Sequence, residues 1–103
     1  MNNMDTNMTE DEIWDIVGFL KISQARYKTL QTLNSDYLMP TEISKRAELT
    51  NSQVSNALHD LKKKKLVRCM NEHARKGRVY QATPRGLEII EVLKNDGTFK
   101  DLI

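Results

Sequence analysis

Cysteine is almost missing from this chain: Cys69 stands alone among 103 residues, so no disulfide can close within it. The absence of a disulfide framework favours a reducing compartment, and the expected location is the cytoplasm. Metal ligands are as scarce. His59 and His73, with Cys69 nearby, do not match a structural zinc spacing, and no metal is expected. Cys69 itself lies in an apolar strand pattern and reads as a small core residue. No apolar run approaches the roughly 18 residues of a membrane span. The first twenty positions contain no lysine or arginine but do contain Asp5, Glu10, Asp11, Glu12 and Asp15, the opposite of a secretory leader. There is no glycine-rich phosphate loop and no nucleophile–base pair, and the serines fall in helix caps or on a polar helix face. The chain therefore reads as a non-enzyme without a cofactor. Its strands also lack the exposed aromatic pairs that stack unpaired bases, which argues against an RNA-binding sheet. No repeat appears, and Lys62 to Lys65 is the only low-complexity run.

What is present suits one soluble domain with a lean core: 39% hydrophobic and 29% charged residues. The net charge of +2 conceals a strong polarity. Positions 1–20 carry five acids and no base, whereas positions 41–85 carry eleven bases against four acids, a surplus of seven. A basic half of this kind favours a polyanionic partner, and the acidic start is expected to face away from it.

Residues 1–8, rich in Asn and Met, read as a disordered tail, residues 9–94 as the domain, and residues 95–103 as a C-terminal tail. Thr9 and Glu12 form a capping box for a first helix whose apolar stripe is Ile13, Trp14, Val17 and Leu20. A bend near Lys21–Ser23 precedes a second helix, with Ser23 as its cap and Ala25, Tyr27, Leu30 and Leu33 on its apolar side. Tyr37-Leu38-Met39 is a short extended piece before Pro40. Thr41 is then the expected cap of a helix over Glu42 to Ala47. Thr50 caps the next helix, with Gln53 completing a second box. Two short helices with almost no connection are the mark of a helix-turn-helix. Leu66 to Met70 and Val79 to Ala82 read as the strands of a hairpin whose tip holds Arg75, Lys76, Gly77 and Arg78. Thr83 caps a final helix with Pro84 in its first position, carrying Leu87, Ile90 and Leu93.

The third long helix divides cleanly. At 100° per residue, Val54, Ala57, Leu58 and Leu61 share one arc. The opposite arc holds Ser52, Asn56, His59 and Lys63, flanked by Asn51, Gln53 and Ser55. These short polar side chains can donate to or accept from base edges, and Asn and Gln suit adenine. Arg75, Lys76 and Arg78 around a glycine turn can neutralise phosphates or enter a minor groove. Any solvated helix presents a polar face, and it is the basic hairpin that follows which makes this one a candidate reader. The fold expected is mostly α within the α+β class, a winged helix-turn-helix with a two- or three-stranded antiparallel wing sheet.

The segments Pro40-Thr41-Glu42-Ile43, Val54-Ser55-Asn56-Ala57-Leu58, Lys76-Gly77-Arg78-Val79-Tyr80 and Thr83-Pro84-Arg85-Gly86 resemble those of small archaeal winged-helix transcriptional regulators. These regulators are loosely grouped with the ArsR and MarR superfamilies. The likeness spans about residues 10–94, and the Gly-Arg-x-Tyr … Thr-x-x-Gly ending is its most specific part. It implies a recognition helix at Thr50–Lys64, a wing at Asn71–Arg78 and homodimers on operator DNA. The cysteine-rich metal-sensing sequence of ArsR sensors is absent, as are the long dimerisation helices of full MarR proteins. A dimer would have to use the terminal helices present here.

The function expected is thus a sequence-specific regulator bound to double-stranded DNA, dimeric through its N-terminal and C-terminal helices. Trp14, Phe19 and Ile13 with Leu87, Ile90 and Leu93 supply the apolar surface for that pairing. The rival from another class is a winged helix used as a protein–protein module in a transcription-related complex.

Overall fold

A computed structural model describes residues 8–95. Its elements in chain order are α1 (Glu10–Lys21), α2 (Gln24–Leu33), α3 (Pro40–Ala47), α4 (Asn51–Lys63), β1 (Val67–Cys69), β2 (Tyr80–Ala82) and α5 (Pro84–Asn95). This is the winged helix-turn-helix, mostly helical with one antiparallel hairpin. Of the expected tails, only Met8 and Asn95 lie among the described residues. Met8 packs against the core and Asn95 closes α5.

Local chemistry sets most helix ends. The Thr9 hydroxyl accepts from the Glu12 amide while the Glu12 carboxylate accepts from the Thr9 amide, satisfying two donors that the first turn leaves unpaired. Ser23 accepts from the Arg26 amide, so α2 starts afresh after a gap of two residues and the bend falls there. The start of α3 departs from expectation. Its N-cap is Met39, not Thr41, with Pro40 in the first turn. Met39 has no polar side chain to offer, so half of the box is missing. The Glu42 carboxylate nevertheless accepts from the Met39 amide at 2.8 Å. Proline's locked φ suits a first helical residue better than a residue outside the helix, which moves the boundary two positions earlier.

The core is one layer of aliphatic side chains: Leu20 and Val17 from α1, Leu30 and Leu33 from α2, Ile43 from α3, Val54 and Leu61 from α4, and Ile89 from α5. The hairpin closes it from the side. Val67 and Cys69 turn inward and Arg68 outward, and the register pairs Val67 with Ala82, Arg68 with Gln81 and Cys69 with Tyr80. Leu38 joins β2 through reciprocal backbone bonds with Tyr80 of 3.0 and 2.8 Å, an isolated bridge where a third strand was in question.

At the base of the hairpin the Thr83 hydroxyl accepts from the Gly86 amide and donates to the Lys65 carbonyl, so one side chain caps α5 and ties it to the end of α4. Gly86 is required there: a Cβ would run into the Leu66 carbonyl oxygen. On the outer side of α1 and α5 the structure narrows an expectation. Ile90 and Leu93 are buried within the monomer, and Phe19 is half-covered. The large apolar side chains left exposed on or beside these helices are Trp14, Ile22 and Leu87.

Candidate nucleic-acid interface

Helix α4 is held from beneath and free above. Val54, Ala57, Leu58 and Leu61 are buried, while Asn51, Ser52, Gln53, Ser55, Asn56, His59 and Lys63 are exposed. A polar brace reinforces the apolar grip. Arg26 of α2 donates to Asp60 through Nε at 3.3 Å and Nη2 at 3.1 Å, and through Nη1 to the Phe19 carbonyl at 3.0 Å. Its guanidinium also lies 4.1 Å from the centre of the Phe19 ring. Partial burial makes this fork worth more than an ordinary surface pair. The tight link from α3 comes from Glu48, in the left-handed region at φ 58°, and from the Ser44 hydroxyl, which donates to the Leu49 carbonyl.

The N-terminus of α4 carries a constraint that composition alone did not reveal. Thr50 and Gln53 form the expected box, with the Gln53 amide 3.1 Å from the Thr50 hydroxyl and Gln53 Oε1 accepting from the Thr50 amide at 2.9 Å. Gln53 is therefore exposed but partly committed: its side-chain carbonyl holds the Thr50 amide, which fixes its orientation and leaves its NH2 the freer group. Asn56 has no such duty among the described hydrogen bonds and is the less encumbered amide.

The wing keeps its shape mainly through side-chain-to-backbone bonds. Asn71 stands at its neck, donating to the Gly77 carbonyl at 3.1 Å and accepting from the Val79 amide at 2.8 Å. Gly77 adopts φ +68°, a conformation that costs a residue with a Cβ. The three candidate cations behave differently. Arg78 folds back, donating to the Ala74 carbonyl at 2.8 Å and the Glu72 carbonyl at 3.1 Å. Carbonyls orient a guanidinium without cancelling its charge. Arg75 and Lys76 are exposed and make no ion pair among the described residues.

Wing and helix meet. Ser55, Leu58, His59 and Lys62 of α4 line an open cleft of about 270 Å³ together with Arg78 and Tyr80 of the hairpin and Pro40 of α3. A 3.0 Å ion pair between Lys62 and Glu72 spans from the helix to the wing loop. Tyr80 and Glu72 were not among the site residues expected from sequence, and Lys62 was indistinct within its lysine run. The helical period does place Lys62 on the side of Ser55 and His59, one and two turns on. Nothing local could place Arg78 or Tyr80 opposite them. Lys65, Arg68 and Arg85 line a smaller cleft of about 160 Å³ with Thr83 and Pro84. Cations of the basic half of the chain thus line both clefts. Among the described residues, no group of three or more His, Cys, Asp or Glu stands within reach of one ion, and no helix is long and apolar enough to cross a membrane.

Several solved structures share this fold. TubR bound to 24 bp of tubC, from Bacillus thuringiensis serovar israelensis pBtoxis, superposes with a TM-score of 0.70 over 81% of this chain and 92% of that one, at 16% identity. Reduced HlyU from Vibrio cholerae N16961 gives 0.62 over 81% and 86%, at 22% identity. The MarR family transcriptional regulator SPO1453 from Silicibacter pomeroyi DSS-3 gives 0.62 over 84% and 64%, at 17% identity. At such identities the likeness is one of fold. No family model matches the chain, and neither does any curated protein.

Proposed function

We propose that this protein is a sequence-specific regulator of transcription that binds double-stranded DNA in the cytoplasm. Helix α4 enters the major groove and the wing lies on the adjoining backbone or minor groove. The observation that carries this reading is the shared cleft: the free polar face of α4 and the cationic wing border one opening on the basic half of the chain. Asn51, Ser52, Ser55 and Asn56 reach base edges from the leading turns of α4, with Gln53 contributing mainly its amide hydrogens. Arg75 and Lys76 contact phosphates, and Arg78, held by carbonyls of its own loop, presents its charge at the cleft beside α4. The fold neighbour TubR, captured on 24 bp of DNA, supports the reading.

The working form is a homodimer through α1 and α5, whose outer surfaces expose Trp14, Ile22 and Leu87. Its two recognition helices would sit about one DNA turn, roughly 34 Å, apart. Selection of bound duplexes from a random pool tests this directly. A palindromic winner with half-sites one turn apart is expected, and the absence of any preferred sequence would overturn the specificity claim.

The same exposed apolar residues favour a second reading, a protein–protein module. Salt separates the two. Affinity for duplex should fall steeply as salt rises, by about one unit of log–log slope per phosphate neutralised, and Arg75→Ala should remove about one such unit on every sequence. An apolar protein interface would show no such dependence.

A further inference from the structure

We propose that the cleft between α4 and the wing is a proton-linked seat for one phosphate of the duplex backbone, with His59 taking up the proton. This rests on the duplex-binding reading above and assigns the cleft a specific role within it.

The polar residues lining it, Ser55, His59, Lys62, Arg78 and Tyr80, are all of types that can donate a hydrogen bond. No carboxylate lines it. A cavity of about 270 Å³ with such walls suits a tetrahedral oxyanion. The charges are prepared unequally. Arg78 is pinned by the Ala74 and Glu72 carbonyls, so its charge is oriented and unneutralised before any ligand arrives. Lys62 is occupied by Glu72 at 3.0 Å, so an incoming phosphate must compete with that carboxylate. His59 makes no hydrogen bond or ion pair among the described residues.

On its own helix His59 is followed by Asp60, which pairs with Arg26, and by the cations Lys62 and Lys63. Arg78 stands across the cleft on the wing, with Glu72 one contact further out. Tyr80 is the titratable neighbour from β2, and α3 contributes only Pro40. A phosphate seated against the imidazole favours the imidazolium, so binding takes up a proton. Affinity must then rise as pH falls, by at most one log unit per pH unit for a single proton. Glu72 acts in the opposite sense, as an internal competitor that lowers affinity at every pH.

The test is anisotropy of the full chain with a random-sequence duplex at constant ionic strength, from about pH 8 to about pH 5.5. The wild type should tighten by about three- to tenfold across that window. His59→Gln should flatten the profile, while His73→Gln, which removes the other histidine of the chain, should keep it. Glu72→Gln should bind more tightly throughout with the slope retained. A His59→Gln protein with the wild-type slope, or a Glu72→Gln protein that binds more weakly, overturns the proposal. Proton NMR of the His59 ring separates the sources of phosphate. A shift on adding duplex supports a backbone seat, and a shift with inorganic phosphate but not with duplex overturns it. Firm duplex binding with a flat wild-type profile sinks this proposal alone. No duplex binding by any form at any pH sinks the regulator reading itself.

Discussion

Helix α4 and the wing border the same cleft but hold their positions by different physics. The helix rests on four buried side chains and on the Arg26 fork, so its orientation is tied to the stability of the whole core. The wing has three-residue strands, and between them lies a loop kept in shape by Asn71, Gly77 and Arg78. Apolar packing is shared among many neighbours, whereas the wing depends on a few replaceable hydrogen bonds. A helix positioned by the core and an arm positioned by its own side chains can therefore be perturbed separately.

Truncation should expose the difference most strongly at Leu61, which is fully buried on the inner face of α4. Leu61→Ala should cost about 2–5 kcal/mol of global stability, read as a drop in the thermal midpoint. On the outer face, Asn56→Ala should leave the melt unchanged and cost about 1–3 kcal/mol of binding on the preferred duplex, with little effect on random sequence. Equal losses on both duplexes would mean that α4 is not the reading helix. Gln53→Ala is a poorer probe, since it also removes half of the α4 cap.

The wing should respond locally. Asn71→Ala deletes two bonds to the wing backbone, each worth about 0.5–1.5 kcal/mol, and a weak one from the Cys69 thiol, so the Val79 amide should exchange faster with solvent while the global midpoint moves little. A midpoint shift as large as that of Leu61→Ala would erase the distinction between the two regions. The smallest effect belongs to the far end of the chain. The backbone and side-chain hydrogen bonds with Thr9 hold the Glu12 carboxyl below its ordinary value of 4.5. A depressed carboxylate stabilises the fold above its ordinary range and loses that contribution as pH falls through the depressed value. Wild type and Glu12→Gln should therefore differ slightly in melting near neutrality and converge in acid. A gap that widens as pH falls would contradict the cap.

Much of the fold was legible in the chain because its signals are local. Thr9, Ser23, Thr50 and Thr83 each begin a helix, and the period of Val54, Ala57, Leu58 and Leu61 separates the inner from the outer side of α4. The start of α3 was misplaced because a threonine looks like a better cap than a methionine, and the locked φ of Pro40 prevailed. The Gly-Arg-x-Tyr and Thr-x-x-Gly motifs acquire physical reasons in the structure. Gly77 supplies a positive φ, Arg78 laces the loop, Tyr80 bridges to Leu38, Thr83 caps α5 and Gly86 yields to the Leu66 carbonyl.

Sequence alone determined the helices, the hairpin, the division of α4 into two faces and the gathering of positive charge in one half, because each follows from residues a few positions apart. Tertiary structure decided which of those charges are free. Arg78 turns onto its own loop and Lys62 is taken by Glu72, while Ile90 and Leu93 disappear into the core. The cleft uniting Ser55 and His59 with Arg78 and Tyr80 likewise exists only once the hairpin has folded back on the helix. Contacts across some twenty residues of chain depend on how the elements pack, and no periodicity within either element encodes them.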